Sequence, residues 1–94
     1  MRNEFYNALR RHIEVNAPRT GFGGSLIPYQ IGEDELWDAS LVSLRVYGTR
    51  VHGDVIRLAC GVSFVHEKLP QSIVLLPNLN AIVMLQKKYG VSND

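Results

Sequence analysis

Two runs in the middle of the chain alternate apolar and polar positions, which is the pattern of a half-buried β-strand. The first run covers residues 41–47, with an apolar face of Val42, Leu44 and Val46. The second run covers residues 54–66, with an apolar face of Ile56, Leu58, Cys60, Val62 and Phe64. Glycines at both ends of residues 48–53 supply the backbone freedom of a tight turn. The pattern predicts a central antiparallel hairpin, in which Gly61 marks a β-bulge or a close backbone approach.

Two shorter segments predict further strands. Residues 25–31 alternate in the same way. Pro28 makes this segment an edge strand or an irregular extended segment, because proline donates no ladder hydrogen bond. Residues 72–76 contain an unbroken aliphatic run that is typical of a buried strand. Together with the hairpin, these segments predict an antiparallel sheet of three to four strands.

Helical periodicity places one helix near each end of the chain. In residues 3–15 the apolar positions Phe5, Leu9 and Ile13 recur at helical spacing, with His12 beside them. Residues 79–89 follow Asn78, a good N-cap, and precede Gly90, a good C-terminal residue. A strand over residues 79–89 is the competing interpretation, because residues 81–85 are all apolar; the end signals favour the helix.

These elements predict an α+β fold, a hairpin-centred sheet packed by an N-terminal and a C-terminal helix, in a single domain over residues 1–94. Hydrophobic residues make up 46% of the chain and charged residues 20%, which argues against disorder. The net charge of +1 gives no overall attraction to nucleic acid or to anionic membranes.

Other compositional features indicate where the protein acts. No apolar run approaches the roughly 20 residues that span a bilayer, and the N-terminus carries no apolar signal core. The single cysteine, Cys60, allows no internal disulfide. We therefore expect a protein of the reducing cytoplasm that does not bind membranes.

A glycine-rich loop over residues 19–24 raises the question of phosphate binding. Phosphate-binding loops run from a strand into a helix N-terminus, whereas this loop is predicted to lead from a helix into a strand. A plain connection is the favoured interpretation.

An acidic segment, residues 32–40, carries four carboxylates and no basic residue, for a local charge of −4. The simpler interpretation is a solvated connection that Trp37 fixes to the core. The alternative is an acidic lip that recognises a small cationic or aromatic ligand, with Trp37 offering a cation–π face. The candidate ligand-binding residues are Tyr29, Glu33, Glu35, Trp37, Tyr47, His52 and Asp54.

No catalytic or metal-binding signature emerges. The spacing of the three histidines, Cys60 and the carboxylates matches no metal-ligand pattern, and the strand serines lack a nucleophile elbow. We therefore expect no cofactor, and an enzymatic role is the less favoured one. A small phosphate-contacting patch for nucleic acid is a third hypothesis, with candidate residues Arg10, Arg11, Arg19 and Arg50.

Self-association is the best-supported hypothesis from the sequence. The last helix is apolar nearly all round, and the second face of the predicted sheet is half apolar. Ninety-four residues offer little interior to bury both, and surplus apolar surface marks a contact site. The sequence predicts a non-enzymatic binding or assembly module acting as a homodimer. Small accessory proteins of phages and other mobile elements are one class compatible with this description.

Overall fold

The protein has an α+β fold with four α-helices and a two-stranded antiparallel sheet among its described residues. The computed structural model describes residues 2–17, 26–62 and 67–91. The helices are α1 (Arg2–Asn16), α2 (Ala39–Tyr47), α3 (Gly53–Ala59) and α4 (Leu79–Tyr89). The strands are β1 (Leu26–Gln30) and β2 (Ile73–Pro77), and two 3₁₀ turns cover Glu33–Glu35 and Arg50–His52.

The chain forms two compact units. The terminal unit consists of Met1–Pro28 and Leu75–Asp94, and the central unit is Tyr29–Val74. Each strand contributes residues to both units. The assignment of residues 1–94 to one domain stays a prediction.

The terminal unit is built on the packing of α1 against α4. Both predicted helices are confirmed, including the interpretation of residues 79–89 as a helix. Asn78 Oδ1 accepts a hydrogen bond from the Ala81 N–H at 2.8 Å, and Gly90 ends the helix in the left-handed region with a φ of +66°. The buried side chains of this unit include Phe5, Leu9, Leu26, Leu76, Pro77 and Ile82.

The predicted central hairpin is wrong for the residues that the structure describes. Residues 41–47 belong to α2, and residues 54–59 belong to α3. Asp38 Oδ1 accepts a hydrogen bond from the Leu41 N–H at 3.1 Å, and Gly48 closes the helix with a φ of +79°. These two caps satisfy backbone groups that a helix would otherwise leave unpaired. The last part of the predicted hairpin, residues 63–66, lies outside the described residues.

Burial along α2 confirms its helical period. Val42 and Ser43 are both fully buried, whereas Leu44 is 39% exposed. Adjacent buried positions do not fit the half-buried strand predicted here, in which neighbouring side chains would point to opposite faces. Ala39 is also buried, so the face that packs inward repeats at the spacing of a helix.

Helix α3 is the shorter of the two helices that replace the hairpin. Val55 and Ile56 are fully buried, again at neighbouring positions. Gly61 has a φ of +73° and follows the end of α3. It therefore provides the left-handed residue after a helix, and the bulge predicted there is wrong.

The two strands predicted over residues 25–31 and 72–76 are confirmed in their described parts. The Ile31 N–H donates to the Ser72 carbonyl at 3.1 Å, just beyond the end of each strand. The described sheet has two strands instead of three to four, because residues 41–47 and 54–59 of the predicted hairpin are helical. In the described residues, no helix is long and apolar enough to cross a membrane.

Candidate functional site

A buried carboxylate, Glu35, lies at the centre of the main polar cluster in the central unit. Its side chain is 1% exposed. The Tyr29 hydroxyl donates to Oε2 at 2.5 Å, and the Gly32 N–H donates to Oε1 at 2.7 Å. Arg45 Nη1 lies 3.0 Å from Oε2. The protein itself therefore supplies donors to both carboxylate oxygens.

The electrostatics of this cluster favour a structural role. Burial acts to raise the pKa of the Glu35 carboxyl, but the hydrogen bonds from Tyr29 and Gly32 and the Arg45 charge outweigh it and lower the pKa. Burial, followed by the hydrogen bond to Glu35, raises the pKa of the Tyr29 phenol. A general acid needs a raised carboxyl pKa, so the environment of Glu35 opposes that function.

Arg45 connects Glu35 to the exposed acidic segment. Its guanidinium makes two hydrogen bonds to Asp34, at 2.7 and 3.2 Å. These bonds lower the pKa of Asp34, and the two carboxylates raise the pKa of Arg45. The charge of the acidic segment is thus partly neutralised by a residue that the sequence pattern had assigned to a strand.

The structure brings some of the other predicted ligand-binding residues together. The Tyr47 and His52 rings meet edge to face, with centroids 5.5 Å apart. Trp37 is 66% exposed, so it is not the core anchor of the simpler interpretation. Glu33 is exposed, and Asp54 acts on His52 through its charge. None of these residues lines either of the two grooves described below.

His52 is a buried, uncharged histidine. It is 2% exposed, and burial lowers its pKa although the Asp54 charge acts in the opposite direction. Its backbone N–H donates to Ser43 Oγ at 3.2 Å, and that hydroxyl donates to the Thr49 carbonyl. The residue therefore packs as a neutral ring in the central unit.

The fold is expected to lose stability as the pH falls below about 6.5, because the unfolded chain protonates His52 more readily than the folded one. The stabilisation that neutral His52 contributes is complete at pH values above the pKa of His52 in the unfolded chain. It decreases as the pH falls toward the lower pKa of His52 in the folded protein. Urea unfolding on both sides of that pH measures the effect. His52→Gln should remove the dependence of the unfolding free energy on pH in this range. An unchanged dependence in the variant would contradict the role assigned to His52.

The arginines predicted to contact nucleic acid belong to different parts of the chain. Arg50 lies 3.6 Å from Asp38 Oδ2 and donates to Ser40 Oγ at 3.0 Å, so its charge is engaged within the central unit. Arg10 and Arg11 are exposed on α1 of the terminal unit. Arg19 lies outside the described residues.

Two grooves in the terminal unit are lined by α1 and α4 and share His12 and Leu85. The larger, here called the cationic groove, has a volume of about 580 Å³; its lining includes Glu4, Ala8, Arg11, Val15, Leu85 and Lys88. The smaller, here called the Met84 groove, has a volume of about 300 Å³ and is lined by His12, Asn78, Asn80, Ala81, Met84 and Leu85. Neither groove is evident from the hydrophobic pattern or the motifs of the sequence.

His12 carries a polar atom without a partner at the junction of the grooves. The Asn16 amide nitrogen lies 3.4 Å from His12 Nδ1. An amide nitrogen only donates, so Nδ1 accepts and Nε2 carries the proton. Nε2 is buried and has no hydrogen-bond partner among the described residues. Such a group costs about 1–3 kcal/mol, and local departures from optimal stability concentrate at functional sites.

Comparison with protein-family models, curated proteins and solved structures gives no match. The assignment of a site therefore depends on the geometry of this chain.

Reactive groups in the described residues add no support for catalysis. Burial raises the pKa of the Cys60 thiol to about 11, which disfavours the nucleophilic thiolate at neutral pH. Within the described ranges, no three metal-ligating side chains lie close enough together to hold an ion. The two grooves of the terminal unit are the strongest candidate sites.

Proposed function

We propose that the protein is a non-enzymatic binding and assembly module that forms a homodimer through α4. The observation that carries this proposal is the position of Met84. Its side chain is 71% exposed, and it lies at the edge of the Met84 groove. A large exposed apolar side chain beside a groove forms a surface on which a partner can pack.

The surface around Met84 suits a second copy of the same chain. Ala81 and Leu85, three residues before and one after Met84, give the groove its apolar wall. A two-fold axis beside α4 would place the Met84 side chain of each copy in the groove of the other. Such self-complementarity is the property of a symmetric dimer interface, in which both subunits use the same patch.

The amphipathic character of α4 supports the same conclusion. Ile82 is fully buried on the inner side of the helix, whereas Leu79 is 41% exposed and Met84 is still more exposed. The helix therefore carries apolar side chains on more than its buried face. Burying a methionine side chain contributes about 1.5–3 kcal/mol, and a symmetric interface gains this twice.

The half-apolar sheet face predicted from the sequence does not support the dimer, because residues 54–59 of its strand are helical. A dimer now depends on α4 alone. The ligand site around Tyr29 and Trp37 has weaker support, since Asp34 and Glu35 are engaged by Arg45 and Asp38 is engaged by Arg50.

Light scattering coupled to gel filtration tests the dimer. We expect twice the chain mass of 10.6 kDa at micromolar concentration. Met84→Lys should reduce it to the single-chain mass, because a lysine ammonium cannot be buried in an apolar groove without a partner. Val51→Lys is the matched control, since Val51 is 47% exposed in the central unit and lines neither groove. A wild-type protein of single-chain mass would refute the proposal, as would a dimer that survives Met84→Lys.

A further inference from the structure

We propose that the cationic groove binds a small molecule with an aromatic body and one anionic group, a carboxylate or a phosphate. The groove lies within the terminal unit and is distinct from the Met84 groove that the dimer would use. The site does not depend on the proposed homodimer.

The charges that line the groove favour an anion. Arg11 and Lys88 face one carboxylate, Glu4, which leaves an excess of one positive charge. Among the described residues, no ion pair engages either cation. In the central unit, by contrast, Arg45 and Arg50 are each paired with carboxylates of their own chain. The two cations of the groove are therefore available to a ligand.

The positions of these charges along α1 give the site a direction. Glu4 and Arg11 are seven residues apart on the helix, which corresponds to about 10 Å along its axis. The carboxylate therefore lies two turns away from the guanidinium. An anion of ordinary size can contact Arg11 without approaching Glu4, and its neutral end would point toward Glu4.

The donors at the cationic end match carboxylate and phosphate geometry. A guanidinium presents a planar fork that binds two oxygens of such a group at once, and a lysine ammonium adds a point charge. Asn7 also lines the groove, and its side-chain amide is a further group that can donate to an anion.

The remaining lining accounts for the aromatic body. Val15 and Leu85 provide aliphatic surface, and the Tyr89 ring lies 5.6 Å from Lys88 Nζ. Small-molecule sites usually have volumes of about 300–1,000 Å³. The 580 Å³ of this groove falls within that range.

A series of three ligands of equal size tests the charge preference: benzoate, benzyl alcohol and benzylamine. Titration followed by amide chemical shifts should show saturable binding of benzoate, with shifts concentrated at Ala8, Asn16 and Leu85. Benzylamine should not bind, and benzyl alcohol should bind more weakly. Phenyl phosphate as a fourth ligand decides which of the two anions is preferred.

Charge-reversal variants locate the anion. Arg11→Glu and Lys88→Glu should each weaken benzoate binding by about tenfold or more, since each removes a charge-assisted hydrogen bond. Arg10→Glu and Lys87→Glu make the same change in net charge at adjacent positions that do not line the groove, and should leave binding within about twofold. Dispersed amide spectra confirm folding, and Arg11→Gln replaces any variant that does not fold.

Specific outcomes would overturn the proposal. They are no saturable benzoate binding, equal binding of benzylamine, or an equal loss in the Arg10→Glu control. Tighter binding of a single-stranded oligonucleotide, with equal losses in all four variants, would indicate a phosphate-backbone surface instead. Benzoate binding by a monomeric Met84→Lys variant would support the cationic groove as a site. The mass measured by light scattering tests the homodimer independently.

Discussion

Glu35→Ala is expected to lower the free energy of unfolding by about 3 kcal/mol, because the variant leaves the donors around a buried carboxylate without an acceptor. Those donors are the Tyr29 hydroxyl, the Gly32 N–H and the Arg45 guanidinium. Urea unfolding followed by circular dichroism measures the change. Glu33→Ala provides the matched control, because this neighbouring glutamate is exposed, and its effect should be within about 0.5 kcal/mol.

The same carboxyl predicts a second acid-sensitive range. The folded-state pKa of Glu35 lies below its ordinary value of 4.5, so the unfolded chain binds the proton first as the pH falls. The stability that the Glu35 carboxylate contributes is complete at pH values above the pKa of Glu35 in the unfolded chain. It is lost as the pH falls through the lower pKa of Glu35 in the folded protein. This range lies below the window in which His52 acts. Glu35→Gln should reduce the low-pH loss, which Asp34 and Asp38 share because their pKa values are lowered as well. A variant as acid-sensitive as the wild type would contradict the role assigned to Glu35.

Ser43→Ala is expected to destabilise the protein by about 2–3 kcal/mol, since one hydroxyl serves two backbone groups at a fully buried position. Its Oγ donates to the Thr49 carbonyl and accepts from the His52 N–H. Removing the hydroxyl leaves a buried N–H without a partner and a carbonyl with one bond fewer. Thermal and urea unfolding provide the measurement.

Ser72→Ala is the control for this substitution. Ser72 is exposed, and its hydrogen bond with the Ile31 N–H uses the backbone carbonyl, which alanine retains. Its unfolding free energy should therefore change by less than about 0.5 kcal/mol. If Ser43→Ala were as mild as this control, the hydroxyl would not connect α2 to the segment before α3.

The elements that could be predicted from the sequence are those with local signals at both ends. Helix α4 lies between Asn78 and Gly90, and both residues act as caps in the structure. Helix α1 has a regular apolar stripe that includes Phe5 and Leu9, both buried. Such signals depend on neighbours within one helical turn, so the chain alone contains them.

The alternation in residues 41–47 predicts a strand although the segment is a helix, because its side chains fit both the strand period and the helical period. Val42, Leu44 and Val46 alternate as in a strand, but Val42 with Ala39 and Ser43 also forms a helical face. Asp38 and Gly48 were signals for helix ends that the alternation outweighed. In the helix, Arg45 lies at the surface, where it binds both Asp34 and Glu35.

The sequence by itself determined the α+β class, the two outer helices and the two short strands. The tertiary structure decided that residues 41–47 are helical, that Arg45 pairs with the acidic segment, and that α1 and α4 form two grooves. The physical reason is the range of the interactions involved. Caps and periodicity act between neighbouring residues, whereas the grooves join residues more than sixty positions apart, and only packing brings such residues together.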